Sequence, residues 1–241
     1  ALAEQFAVPL STALSQSQIA VATQSGNVGD GLNILTQAMR LSQATGTDLA
    51  ATNNLVTTSL QAFHLRGEDA GRVTNVLFQA AQRSRVPLDA MQNAIGRVSQ
   101  TAVHLGLSFE QLTALFLTIS QQGGKPAEAF SLLNQVFVKL LNPTEQLQNF
   151  LNDLGTPTAQ LALQTFGLAG FLDKLNQAAS QTPERLGDIA GSARTLRGLL
   201  ALTGDQTQAF EENLRSITRT SSELINAQQR VAGTPGQQLK A

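Results

Sequence analysis

The chain has 241 residues and a formal net charge of −1, with 14% charged and 42% hydrophobic residues; Gln, Asn, Ser and Thr supply most of the remainder. Charge this sparse gives no cluster of Lys and Arg for wrapping nucleic acid, and the lack of cysteine excludes disulfides, thiolate nucleophiles and Cys-type metal sites. The longest apolar run, at residues 112–119, is about 8 residues, against the roughly 20 that a membrane span requires.

Apolar residues recur at the helical period, and no stretch alternates at period two over strand length. The predicted helices fall near 3–24, 30–44, 48–64, 69–84, 87–105, 109–121, 126–141, 144–153, 157–164, 168–179, 183–203 and 205–231. Leu2, Phe6, Leu10, Ala13, Ser17 and Ala20 form a weak stripe on the first. Stronger stripes follow: Leu49, Asn53, Val56, Leu60 and Phe63; then Leu112, Leu115, Phe116 and Ile119; then Phe130, Leu133, Phe137, Leu140 and Leu141. Ser108 with Gln111 predicts a capping box. Asn142 is the expected N-cap of the helix that continues through Pro143 and Glu145, and Thr156 and Thr182 are expected to repeat that cap-then-proline start. Glycines at 46, 67, 106, 123, 124, 155 and 204 mark stops.

Short connections between 46 and 155 predict antiparallel helix hairpins. "AFHLRGEDAGRV" and "AVHLGLSFEQL" use the same His-Leu then glycine punctuation, with His64 and His104 forty residues apart, and are expected to be equivalent helix ends in a loose helix-pair repeat. Phe210, Leu214, Ile217, Ser221, Leu224, Gln228 and Val231 step 4, 3, 4, 3, 4, 3, which is heptad spacing. Phe210, Leu214, Ile217, Leu224 and Val231 are the expected oligomer interface, and packing on the chain's own core is the alternative reading of the same stripe. The expected fold is all-α, a bundle of antiparallel helix hairpins with longer helices at both ends, the C-terminal one carrying a short heptad. The expected organisation is an N-terminal helix or arm at 1–28, a helical core domain at 29–205, a heptad helix at 206–232 and a linker-like tail at 233–241. The chain begins at Ala1 rather than Met and stops without a closing structural signal, so it is expected to be a segment of a longer polypeptide.

No constellation points to an enzyme. His64 and His104 each fall in the last turn of a predicted helix, where an imidazole complements terminal carbonyls. Glu68 and Asp69, and Glu211 and Glu212, are adjacent residues at helix starts; neighbours on a helix do not face each other as an acid–base pair. Gly123, Gly124 and Lys125 lack the spaced glycine and the Ser or Thr of a phosphate loop. Arg194 with Arg197, and Arg215 with Arg219, read as solvated faces or partner contacts. No catalytic residue, metal ligand or cofactor is expected.

The stretch "LNILTQAMRLSQATGTDLAATNNLVTTSLQAFHL" and the run from "DAGRV" to "NFLNDLG" together resemble the core region of phage tail tape-measure proteins. The resemblance rests on the order of Phe63-His64-Leu65, Arg72-Val73, Gly106-Leu107-Ser108, Gly123-Gly124, Asn142-Pro143 and Leu154-Gly155, across roughly residues 30–205. Three departures stand out: His64 where that family usually has glycine, Asn75 where it often has Asp, and Pro126-Ala127-Glu128 in place of a small-residue turn.

The resemblance implies a virion protein in the lumen or at the tip of a tail, made in the host cytoplasm during assembly. It implies a role in setting tail length and release during genome ejection. The implied partners are further copies of the chain in a small homo-oligomer and the tail tube and tail tip proteins. Non-specific proximity to DNA and contact with the host membrane after ejection are implied as well. Two other readings compete: a membrane-active helical segment forming a DNA-delivery channel, and a helical adaptor or interaction domain.

Overall fold

The computed structural model describes residues 10–23, 28–84, 86, 88–123, 125–181, 183–219 and 223–232. Among them every regular element is helical, as the sequence predicts. Contacts divide the chain into two compact units, residues 1–96 with 217–241 and residues 97–216.

The first unit is organised around α2 (Val28–Thr45). Helices α1 (Leu10–Thr23), α3 (Leu49–Ala62) and α4 (Ala70–Ser84) pack against it, and so does α13 (Glu223–Ala232), which returns from the far end of the sequence. α2 buries Gly31, Ile34, Leu35, Ala38, Met39 and Leu41, an arc wide enough for several neighbours. Asp48 caps α3 by accepting from the Ala51 N–H at 3.0 Å. A 3-10 turn at Gly67–Asp69 starts α4 and lies against α2, where a Cβ on Gly67 would sit 2.3 Å from the Asp30 Cβ. The Asn33 amide fastens the contact by donating to the Gly67 carbonyl at 2.7 Å.

The second unit contains α6 (Phe109–Ser120), α7 (Pro126–Leu141), α8 (Glu145–Asp153), α9 (Ala159–Gln181), α10 (Pro183–Ala190) and α11 (Ala193–Leu200). α6 is buried at Phe109 and Glu110 and continuously from Leu112 to Ile119, so it is enclosed on every side rather than along one stripe. Phe116 stacks on Phe130 of α7 with ring centroids 4.2 Å apart. α7 packs against α11, and α10 packs against α8, α9 and α11. Two further helices, α5 (Leu88–His104) and α12 (Asp205–Thr218), complete the chain.

Most buried threonines bond back along their own stretch of chain, whereas the buried hydroxyls of Ser59 and Ser120 have no hydrogen-bond partner among the described residues. Thr52, Thr57, Thr74, Thr113, Thr118 and Thr203 are all buried, and each donates to the carbonyl four residues back at 2.8–3.0 Å. Buried amides do the cross-helix work instead. Asn53 donates to the Gln16 side-chain oxygen at 3.0 Å, joining α3 to α1. Asn213 of α12 donates to the Thr118 hydroxyl at 3.2 Å and the Gln121 side-chain oxygen at 3.1 Å.

Four local expectations change. The helix predicted at 183–203 is two, because Gly191 takes φ 63° and Ser192 caps α11 by accepting from the Thr195 N–H at 3.1 Å. The helix predicted at 205–231 is also two: α12 ends at Thr218 and α13 begins at Glu223, so the heptad does not run along one long terminal helix. The start of α8 belongs to Thr144, which accepts from the Leu147 N–H at 3.3 Å, whereas Asn142 ends α7 and donates to the Val138 carbonyl at 3.3 Å. Thr158 rather than Thr156 opens α9, accepting from the Leu161 N–H at 3.2 Å. The separation predicted between 157–164 and 168–179 corresponds to a break at Gly167, which has φ 69° and ψ 170° inside α9. Thr182, Gly124 and the part of the first predicted helix before Leu10 lie outside the described residues.

Candidate functional site

The two histidine stretches end their helices with one hydrogen-bond motif, set in different register. After α3 the Leu65 N–H reaches the Leu60 carbonyl at 2.8 Å and the His64 N–H reaches Gln61 at 3.2 Å. After α5 the Leu107 N–H reaches the Ala102 carbonyl at 3.0 Å and the Gly106 N–H reaches Val103 at 2.9 Å. Both are Schellman ends, and the residue that must adopt a left-handed conformation is His64 in the first and Gly106 in the second, at φ 54° and φ 79°. His64 is therefore the counterpart of Gly106, two positions beyond His104.

His104 acts through its ring, whose Nδ1 lies 2.7 Å from the Gln100 carbonyl in the last turn of α5. The two histidines belong to different units. A left-handed conformation costs an L-residue about 1–2 kcal/mol, partly offset by the larger entropy glycine loses on folding. His64→Gly is thus expected to stabilise the chain by about 0.5–1 kcal/mol, and Gly106→Ala to destabilise it by about 1 kcal/mol. Urea titrations followed by far-ultraviolet circular dichroism check both signs.

The adjacent carboxylates are structural too. Asp69 accepts from the Arg66 N–H at 3.0 Å and pairs with Arg72 at 3.2 Å. Glu68 pairs with Arg66, and Glu211 with Arg215 at 3.1 Å. Lys125 precedes Pro126 at the start of α7, so the Gly-Gly-Lys stretch leads into a helix. Arg197 lies 3.7 Å from Glu128, and Arg194 is exposed. Exposed ion pairs of this kind contribute little to stability.

Among the described residues no group of three His, Cys, Asp or Glu side chains is placed to hold a metal ion. No described helix is long and apolar enough to cross a membrane. The second unit carries open hollows among its described residues. One of about 290 Å³ is floored by Ile119, Ala129 and Leu132 beside Leu200, and another of about 220 Å³ lies between Phe150, Lys174 and Arg185.

The residues expected at an oligomer interface are placed unevenly. Phe210, Ile217 and Leu224 are 1%, 1% and 4% exposed within the chain itself. Leu214 is half-buried and lines a hollow of about 240 Å³ with Phe166, Gly167 and Arg215. The side chain of Val231 and all of Ser221 lie outside the described residues. The sequence pattern missed Asn213, the buried amide between Phe210 and Ile217 on the same face of α12, which ties it to Thr118 and Gln121.

Comparison with known proteins supplies what the geometry of a helical scaffold does not. Residues 2–196 match the family described as phage-related minor tail protein. The chain is 27% identical over 128 residues to a tape measure protein of Pneumococcus phage Dp-1, covering 53% of this chain and 11% of that protein. It is 23% identical over 215 residues to a probable tape measure protein of Clostridium phage phiCD119, covering 86% of this chain and 23% of that protein. The chain thus spans between a tenth and a quarter of the length of these relatives. No solved structure matches it.

Proposed function

The chain belongs to the family of phage-related minor tail proteins, and from that membership we propose that it is a segment of a tape measure protein that occupies the tail lumen, sets tail length during assembly and leaves during genome ejection. The observation that carries this reading is the match over residues 2–196, joined by two relatives named as tape measure proteins from different phages. The composition supports it: a net charge of −1 and 14% charged residues give the chain little with which to hold DNA passing through the same channel. The proposed partners are further copies of the chain, which line the lumen together, and the tail tube and tail tip proteins around them.

In this proposal the segment lies in the tube as extended, continuous helix rather than as the compact unit described above, and such a ruler adds about 1.5 Å of length per residue. In-frame removal of residues 97–216, one whole compact unit, from the parent protein is expected to shorten the tail by about 180 Å on that basis. Duplication of the same residues is expected to lengthen it by the same amount. Electron micrographs of the assembled tails measure both. Tails of unaltered length in either variant would remove the length-setting role from this segment.

A further inference from the structure

The first unit is completed by a helix that arrives from the other end of the sequence. α13 (Glu223–Ala232) packs against α2 and α4, whereas the helices α1 to α4 of that unit all lie before residue 97. Its seat is narrow. Leu224 and Ala227, one turn apart, are its described buried side chains, at 4% and 8% exposure, and Asn226, Gln229 and Arg230 face solvent. The Asn75 amide of α4 donates to the Arg219 carbonyl at 3.4 Å, just ahead of the helix. A helix of 10 residues does not hold its shape alone in water, so α13 owes its helicity to the surface on which it sits.

We propose that this surface, the α2 and α4 face that receives Leu224 and Ala227, is an exchange site between copies of the chain, able to take the same helix from a second copy. The surface fits that occupant because it already holds it, in the geometry just described. A helix supplied by another copy presents identical side chains, and covalent attachment gives a chain's own helix only the advantage of effective concentration. That advantage is on the order of millimolar for a short linker, so the helix of a second copy competes as the chain's concentration approaches that value. The exchange makes association an alternative use of the same apolar contacts, as in domain swapping. It requires no additional exposed seam, and it leaves Leu224 buried in the closed and the exchanged forms. The proposal does not rest on the tail role.

The test uses the full chain with a protease recognition sequence inserted between Arg219 and Glu223, purified folded and then nicked. The probe is a fluorescent synthetic peptide of residues 219–232, with and without Leu224→Asp. The nicked protein is expected to take up the unmodified peptide, measured by fluorescence anisotropy. The intact chain takes up at least about tenfold less at the same concentration, because its own helix fills the site. The Leu224→Asp peptide is expected not to bind. Far-ultraviolet circular dichroism confirms that nicking leaves the helices formed. A folded nicked protein that ignores the unmodified peptide overturns the proposal, and so does equal uptake of the two peptides.

Discussion

Ile217→Asp is expected to unfold much of the chain, and Leu214→Asp to leave it folded. The two positions are three residues apart on α12, and both belong to the heptad stripe, yet their surroundings differ. Ile217 is 1% exposed, whereas Leu214 is half-buried at the edge of an open hollow. Truncating a buried Ile costs about 2–5 kcal/mol through lost transfer energy and the cavity left behind. A carboxylate in its place adds the cost of an unpaired buried charge, so the total exceeds about 4 kcal/mol. A domain of ordinary stability has about 5–15 kcal/mol in all. At Leu214 the new carboxylate stays hydrated, and the expected loss is about 1 kcal/mol.

Circular dichroism under urea is the measurement for both variants, since a chain with neither Trp nor Tyr offers no convenient intrinsic fluorescence. Light scattering on the same samples makes Leu214→Asp informative in a second way. It retains the fold, so any change in mass reports association through this face of α12. An Ile217→Asp chain that kept its urea midpoint would contradict the burial on which the argument rests.

The helices were legible in the sequence because their signals are local. Ser108 and Gln111 close the predicted box, with the Gln111 N–H 3.1 Å from the serine hydroxyl and the Ser108 N–H 2.9 Å from the glutamine oxygen. The split at Gly191 and Ser192 is equally local, a stop followed by a cap, but the apolar residues continue on both sides of it. His64 was the harder case. Its left-handed conformation is set by the hydrogen bonds of Leu65 and His64 to the end of α3, and a histidine carries no sign of that duty. The similarity to a family that usually has glycine there was the available signal.

What the sequence could not disclose is which apolar stripe meets which partner. A heptad and a core-facing helix use nearly the same spacing, because 3.5 and 3.6 residues per turn diverge little over three turns. The stripe on residues 210–231 therefore reads equally as a seam or as core packing, and Phe210, Ile217 and Leu224 are buried within the chain. Long-range placement is invisible to periodicity for the same reason: nothing in Leu224 or Ala227 names α2, nearly two hundred residues earlier, as the surface they cover.

Two glycines of the second unit are expected to respond to alanine with opposite signs. Gly198 lies on α11 and Gly187 on α10, each inside a helix of 8 residues. Helix propensity alone favours alanine at both by about 1 kcal/mol. Gly187 has no atom within 4 Å of where a Cβ would stand, so Gly187→Ala is expected to gain about 0.5–1 kcal/mol. At Gly198 the added Cβ would meet the Val136 Cγ2 at 2.6 Å and the Leu132 carbonyl oxygen at 3.2 Å, both on α7. A valine rotamer can move, but the Leu132 carbonyl is main chain, and relieving the overlap requires α11 to withdraw from α7. Overpacking of this kind costs about 1–3 kcal/mol and outweighs the propensity gain. Gly198→Ala is thus expected to lower stability by about 1–2 kcal/mol, seen as a lower urea midpoint, with Gly187→Ala moving the midpoint the other way. Equal and favourable shifts at both positions would mean that α11 does not approach α7 as closely as the Gly198 contact requires.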